Sequence, residues 1–329
     1  MNAFMVDLSV VIPVRNEAKS LIELVRELTE TLTRWARPYE LIVVDDGSTD
    51  ESFEILSRLQ AADSRLRVIR FRRNFGQTAA FAAGFDHARG RYIATMDGDL
   101  QNDPADIPAM VGALEHGADI ACGWRKERQD PLVSRRIPSR LANALISAVT
   151  GVHLHDYGCS LKVFRAEIVK PMKLYGEMHR FLPAIASEQT SNITEMPVHH
   201  RARRYGRSKY GIGRTVRVIL DLLTVKFLLT YSTRPLQLFG LIGGAMTLLG
   251  AAISGGLALG RLMERLSLNR HQPLLLLGIL LIMTGVQLMT IGLVAELQAR
   301  TYHESQNKPT YVIREILETP SVERLFSTR

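Results

Sequence analysis

A chain of 329 residues with 46% hydrophobic and 22% charged residues is long enough for one large or two modest domains with a full core. The formal charge of +8 suits nucleic acid, anionic lipid or phosphorylated substrates alike, so charge alone does not choose a partner. Only Cys122 and Cys159 are present, without metal-ligand or redox spacing, which excludes a cysteine metal site and predicts reduced thiols in a cytosolic domain. Apolar residues concentrate toward the C-terminal third, so a soluble part joined to a membrane part is expected.

Met1 to Asp7 has no signal-peptide character and runs into the strand Leu8-Ser9-Val10-Val11-Ile12-Pro13. The following helix carries Leu21, Val25, Leu28, Leu32 and Trp35 at helical spacing. Tyr39 to Asp45 forms a second strand ending in Asp45-Asp46-Gly47-Ser48-Thr49-Asp50, where Ser48 or Asp50 can cap the helix holding Phe53, Ile55, Leu56 and Leu59. Leu66 to Phe71 and Gly76 to Ala88 supply a third strand and a third helix, and Arg91 to Met96 a fourth strand. This alternation predicts an α/β fold, a doubly wound and mostly parallel sheet that binds ligands at the carboxyl ends of its strands. Pro13, Asp46 and Asp97 all fall at such ends.

The fourth strand delivers Asp97-Gly98-Asp99-Leu100-Gln101, followed by Asn102-Asp103-Pro104 as a turn into a helix. Gly98 between the two carboxylates lets Asp97 and Asp99 face one point, where the Gln101 amide oxygen can join them. Such hard oxygen ligands suit Mg²⁺ or Mn²⁺. The plain alternative is a pair of solvated turn aspartates.

Ala118 to Gly123 reads as a further strand leading to Trp124-Arg125, and Lys126 to Arg140 as a basic, turn-rich segment, either a solvated loop or a cover over an anionic ligand. Leu141 to Val149 is a small apolar helix. Asp156 stands in a turn before the strand Ser160 to Arg165, as a candidate general base or orienter of the attacking oxygen, or as a cap for its own backbone. His153, His155, His199 and His200 lack the carboxylate context of a zinc site and read as packing or interface residues. The strand Ile193 to Val198 opens into a basic segment in which Arg203, Arg207 and Lys209 can hold a lipid phosphate or meet anionic headgroups.

Arg214, Arg217, Asp221 and Thr224 form one stripe of an interfacial helix. Pro235 to Gly260 and Pro273 to Ala295 contain no charged residue and are long enough to span a bilayer. The short link carries Arg261, Arg265 and Arg270, whereas Arg214, Arg217, Lys226 and Arg234 precede the first span and Arg300, Lys308 and Arg314 follow the second. That balance puts both ends of an integral inner-membrane protein in the cytoplasm. The expected organisation is a catalytic domain over residues 1–212, interfacial helices over 213–233, a transmembrane hairpin over 234–298 and a tail over 299–329 that docks on a neighbouring subunit.

Taken together, Val11-Ile12-Pro13-Val14-Arg15-Asn16-Glu17, Val44-Asp45-Asp46-Gly47-Ser48, Arg73-Asn74-Phe75-Gly76-Gln77, Asp97-Gly98-Asp99-Leu100-Gln101, Asp156-Tyr157-Gly158-Cys159 and Arg207-Ser208-Lys209-Tyr210 resemble the family 2 (GT-A fold) polyprenyl-phosphate glycosyltransferases over essentially the whole chain. The resemblance implies inverting transfer from a nucleotide sugar to undecaprenyl or dolichyl phosphate, with release of nucleoside diphosphate. Pro13, Arg15, Glu17 and Val44 line one edge with Asp46, which can accept an N–H of the base; the resemblance implies Asp46 at the base, Asp97 at the ribose or the metal, and Gly98, Asp99 and Arg125 on the donor side. Asp97, Asp99 and Gln101 would hold the metal, Asp156 would take the base role, and Arg203 and Lys209 would contact the lipid phosphate. Arg15 stands where many relatives carry Tyr, and a cation there suits the diphosphate rather than base stacking.

The resemblance is greatest to the bacterial glucosyltransferases of O-antigen modification, which implies UDP-glucose as donor and a homo-oligomer, often a tetramer. Dolichyl-phosphate mannose synthases and undecaprenyl-phosphate aminoarabinose transferases share most of the motifs. Nucleotide sugar, polyprenyl phosphate and membrane lipids, and not nucleic acid, are the expected partners. A processive polysaccharide synthase would need more membrane helices and a polymer-binding motif, and a nucleotide-sugar sensor retaining the fold is the non-enzymatic alternative.

Overall fold

The computed structural model describes residues 6–126, 143, 146–148, 150–174, 176, 178–202, 204, 235–263, 271–305 and 310–319. It divides into two compact units, one formed by residues 1–225 with 309–329 and the other by residues 226–308.

The first unit alternates as the sequence pattern requires: β1 (Leu8–Val14), α1 (Leu21–Trp35), β2 (Tyr39–Asp45), α2 (Ser52–Ala62), β3 (Leu66–Phe71), α3 (Gln77–His87), β4 (Tyr92–Thr95), α4 (Ile107–Glu115) and β5 (Ile120–Trp124). Then come β6 (Lys162–Arg165), the short helix Leu182–Ala186, β7 (Ile193–Pro197) and, after the second unit, β8 (Ile313–Leu317). Among the described residues, these eight strands join one sheet in the order β7-β5-β6-β4-β1-β2-β3-β8. The pairs β1–β2, β1–β4, β2–β3 and β5–β7 are parallel. Apolar β1 and β2 are buried along nearly their whole lengths, as strands covered on both faces must be. Leu21, Leu24, Val25, Leu28 and Leu32 seat α1 on this core, with Trp35 partly buried against it.

From β1 the chain winds outward through β2 and β3, while β4 lies on the other side of β1. The carboxyl ends of β1 and β4 therefore flank the crevice that this topology opens to ligands. Pro13 is accommodated in a central strand for the same reason. Backbone groups alternate sides along a strand, and Val11 O already accepts from Met96 N on the β4 side. Pro13 therefore turns its missing N–H to that side, past the last β1–β4 pair at Val11–Thr95, where no ladder donor is needed.

Two strands depart from the simple parallel pattern. β6 is inserted antiparallel between β4 and β5. β8 corrects the expectation that the tail docks on a neighbour: it pairs antiparallel with β3 of its own sheet. Polar anchors hold it there. Glu318 accepts from Arg67 Nε at 3.0 Å and Arg89 Nη2 at 2.8 Å, and Arg67 in turn binds buried Glu40 at 3.0 Å. Tyr311 stacks on Phe71 with ring centroids 5.2 Å apart and donates to Asp86 at 2.7 Å.

The second unit contains the helices Pro235–Leu262 and Gln272–Ser305, within which Phe239–Leu262 and Gln272–Val294 are each long and apolar enough to cross a membrane. They touch through glycine. A Cβ on Gly243 would lie 2.5 Å from Gly285 O, and one on Gly250 would lie 2.5 Å from Gly278 O. Small residues at these places allow the backbones the close approach by which helices associate in lipid.

Candidate active site

At the end of β1, Asn16 adopts φ 57°, and the loop it begins is stitched to the loop after β2. Asn16 N donates to Ser48 Oγ at 3.0 Å, Glu17 N to Ser52 Oγ at 3.0 Å, and Thr49 N to Asn16 Oδ1 at 2.8 Å. Ser48 thus braces the neighbouring loop instead of capping α2, and Asp50 splits its carboxylate between Ala18 N and Ser52 N. Arg15 is exposed beside this edge, Pro13 and Glu17 are half-buried, and Val44 is fully buried within the sheet.

Asp46 is buried, and its carboxylate is already engaged. Oδ1 accepts from Phe75 N at 2.6 Å and Oδ2 from Gly76 N at 2.9 Å, so the residue expected to read a base also pins the Arg73–Gly76 loop. Burial raises its pKa above the ordinary value, against the pull of those two N–H groups and of Arg15. Gly47 permits the closeness: at φ +66°, a Cβ would stand 2.6 Å from the Arg73 carbonyl carbon.

Beyond β4 the chain makes the Asp97–Gln101 turn. Leu100 is held at φ 61°, an uncommon conformation for a bulky residue, and Gln101 N donates back to Asp99 Oδ1 at 3.2 Å. Ser20 Oγ donates to Gly98 O at 2.9 Å, tying the turn to the start of α1. Gln77 Nε2 donates to Asp97 Oδ1 at 2.7 Å. Burial and then the Asp99 charge raise the Asp97 pKa, while the Ser160 hydroxyl, Lys162 and Arg125 act the other way. Two carboxylates within electrostatic reach, one of them strained toward protonation by the other, form a hard-oxygen pair whose repulsion a divalent cation would relieve.

Arg125 closes the opposite side. Its Nε and Nη2 donate to Asp156 Oδ2 at 2.7 Å and Oδ1 at 2.9 Å, and Asp156 also accepts from Arg125 N and Gly158 N. Burial would lower the Arg125 pKa, but the Asp156 pair outweighs it and holds the group above its ordinary value. Asp156 is buried within this pair, and the two-point contact fixes the orientation of both groups. Glu195 on β7 fixes the same turn, accepting from Asp156 N at 2.9 Å and from both His155 N and Nδ1. His155 stacks on Trp124 with centroids 4.5 Å apart, and His199 Nδ1 lies 2.8 Å from Asp106 Oδ1.

Sequence reasoning missed four contributors. Gln77 and Lys162 act on Asp97, the latter a buried cation on β6 whose Nζ is held by the Cys159 carbonyl. Arg201 exchanges bonds with the Asp97–Gln101 turn: its N donates to Gln101 O at 2.8 Å and its O accepts from Gln101 Nε2 at 3.4 Å, while Glu27 and Asp103 clamp its guanidinium. His179 lies against Thr78, next to Gln77. A buried cation inside a strand was the one available signal, at Lys162. Arg203, Arg207 and Lys209 lie outside the described residues, as does nearly all of the basic segment 126–140.

Comparisons with known proteins accord with this geometry. Residues 9–172 match the model of glycosyl transferase family 2. The dodecaprenyl-phosphate galacturonate synthase of Rhizobium johnstonii is 47% identical over 319 residues, covering 96% of this chain and 94% of the relative. The undecaprenyl-phosphate 4-deoxy-4-formamido-L-arabinose transferase of Pseudomonas aeruginosa is 38% identical over 324 residues, covering 98% and 94%. Among solved structures, glucosyl-3-phosphoglycerate synthase from Mycobacterium tuberculosis with Mn²⁺ and UDP-glucose shares the fold at a TM-score of 0.52 and 18% identity, over 67% of this chain and 78% of that one. Mannosyl-3-phosphoglycerate synthase from Rubrobacter xylanophilus does so at a TM-score of 0.54 and 14% identity, over 68% and 74%. Similarity extending over nearly the full length of such relatives, from the strand-end motifs through both apolar helices, makes this chain a member of glycosyl transferase family 2, among the polyprenyl-phosphate glycosyltransferases.

Proposed function

We propose that the protein transfers a sugar from a nucleotide diphosphate donor to a polyprenyl phosphate at the cytoplasmic face of a membrane, with both chain ends on that face. The observation that supports this most directly is the link between Gln101 and Arg201. One turn presents Asp97 and Asp99 at the sheet's ligand crevice and is bonded to the start of the basic segment that carries Arg203, Arg207 and Lys209. Arg201, two residues before Arg203 in the chain, is thereby held against the turn that bears both carboxylates.

Asp97, Asp99 and the Gln101 amide oxygen would hold Mg²⁺ or Mn²⁺, which supplies charge neutralisation for a departing diphosphate. Asp46 and the loop it pins would receive the base, and Arg15 the diphosphate. Arg125, oriented by Asp156, presents a fixed cation on the donor side. No side chain needs to deprotonate the acceptor, because a phosphate monoester with a second pKa near ~6 is already mostly dianionic at neutral pH. Arg203, Arg207 and Lys209 need only position it. This accounts for an Asp156 that is paired instead of poised.

For the sugar, the motif resemblance pointed to glucose, but the relative at 47% identity is named for galacturonate, so UDP-galacturonate is placed first and UDP-glucose second. Purified full-length protein in detergent, given short polyprenyl phosphate, Mg²⁺ or Mn²⁺ and a panel of UDP- and GDP-sugars, should yield lipid-phosphate sugar and free nucleoside diphosphate. Donor binding without any turnover would instead favour a sensor.

A further inference from the structure

His179 and Arg180 belong to a short 3-10 turn, Met178–Phe181, that packs beside α3. Nothing in the motifs draws attention to it, yet its contacts lead straight to the donor carboxylates. Thr78 Oγ1 lies 3.0 Å from His179 Nδ1 and accepts from His179 N at 3.2 Å, while the preceding residue, Gln77, donates to Asp97. On its other side His179 meets Arg180, whose Nε donates to His179 Nε2 at 3.4 Å. A guanidinium can only donate, so Nε2 accepts and the ring proton sits on Nδ1, facing Thr78. The ring is also kept uncharged: burial first, then the charges of Arg180 and Lys162, push its pKa down to about 3. A neutral histidine thus acts as a fixed spacer between α3 and the arginine.

Arg180 itself is half-buried and makes no ion pair among the described residues, in contrast to Arg125, Arg201 and Arg204, each of which holds a carboxylate. Lys162 is likewise without a carboxylate partner and acts electrostatically on both Asp97 and His179. A half-buried cation held by a histidine, with no carboxylate on it among the described residues, is an arrangement completed by an anionic ligand. The path from Arg180 through His179 and Thr78 to Gln77, which donates to Asp97, points to which ligand.

We propose that Arg180, set by the Thr78–His179 contact, binds an anionic oxygen of the nucleotide-sugar donor. This rests on reading the Asp97–Asp99 turn as the donor site. Two oxygens share the chemistry, a diphosphate oxygen and the carboxylate of a uronic acid sugar, and kinetics separates them.

The test compares the full-length enzyme with Arg180→Gln, Arg180→Lys and His179→Ala, using UDP-galacturonate, UDP-glucose and, for binding by calorimetry, UDP alone. Arg180→Gln should lower kcat/KM for the donor by about tenfold to a hundredfold, as expected for loss of a hydrogen bond to a charged group. Arg180→Lys should recover part of that loss, and His179→Ala should raise donor KM with acceptor KM unchanged. Equal losses on both sugars with weakened UDP binding assign the diphosphate; a loss confined to UDP-galacturonate with UDP binding intact assigns the sugar carboxylate. Either supports the proposal. Unchanged donor kinetics in a folded Arg180→Gln protein, or an effect on acceptor KM alone, overturns it while leaving the donor site standing. Failure of the unmodified enzyme to bind or use any nucleotide sugar would overturn the donor-site reading itself.

Discussion

Arg125 and Asp156 form a two-point ion pair, Nε to Oδ2 at 2.7 Å and Nη2 to Oδ1 at 2.9 Å, with side chains only 13% and 5% exposed. Removing Asp156 leaves the Arg125 guanidinium buried without its carboxylate. Asp156→Ala should cost about 3–5 kcal/mol of stability, and the double variant with Arg125→Ala should cost much less than the sum of the singles. Chemical denaturation of the four proteins in detergent measures this. Kinetics on the folded fraction should show the same non-additivity, whereas strictly additive losses would favour an independent base role for Asp156.

Asp99→Ala tests the carboxylate pair. Transfer of sugar to polyprenyl phosphate should fall by at least about a hundredfold, in line with other charge-stabilising groups, with thermal unfolding little changed. Binding of Mn²⁺ followed by electron paramagnetic resonance should weaken in parallel. Undiminished turnover would remove the metal assignment.

Gly47→Ala places a Cβ against the Arg73 backbone at a positive φ. The left-handed conformation alone costs about 1–2 kcal/mol, and the Arg73–Gly76 loop must shift away from Asp46. Donor KM should rise several-fold more than acceptor KM in steady-state assays.

His179 links the site to acid stability. Its folded pKa of about 3 lies below the ordinary 6.5, so between these pH values the unfolded chain binds the extra proton. The stabilisation is fully present above about pH 6.5 and is lost as pH falls toward 3, on the order of a few kcal/mol in total. In denaturant titrations over that range, His179→Gln should show a shallower decline than the unmodified protein.

Within the helical hairpin, Gly250→Val inserts a side chain where a Cβ already meets Gly278 O at 2.5 Å, whereas a Cβ on Gly256 meets nothing within 4 Å. Gly250→Val should therefore lower thermal stability in detergent and Gly256→Val should be tolerated. Equal behaviour of the two would refute this helix pairing.

Much of the molecule was legible along the chain. The alternation of β1 through β4 with α1 through α3, the placing of Pro13, Asp46 and Asp97 at strand ends, and both apolar helices follow from local periodicity and run length, which a linear reading senses directly. Asp97-x-Asp99 was visible as a motif. Its partners were not: Arg125 and Asp156 are 31 residues apart, Gln101 and Arg201 are 100, and Thr78 and His179 are 101. No period of a strand or helix relates positions so distant.

The local order of residues determined which elements form, which residues end them and which stretches are apolar enough for a bilayer, because those properties arise from backbone geometry and neighbouring side chains. Only the tertiary structure decided that β6 runs backward between β4 and β5, that β8 returns to cover β3, and that Asp156 is held by Arg125. Strand order and ion pairing are settled by which surfaces become buried together. That depends on the whole sheet closing around its core, not on any one segment of it.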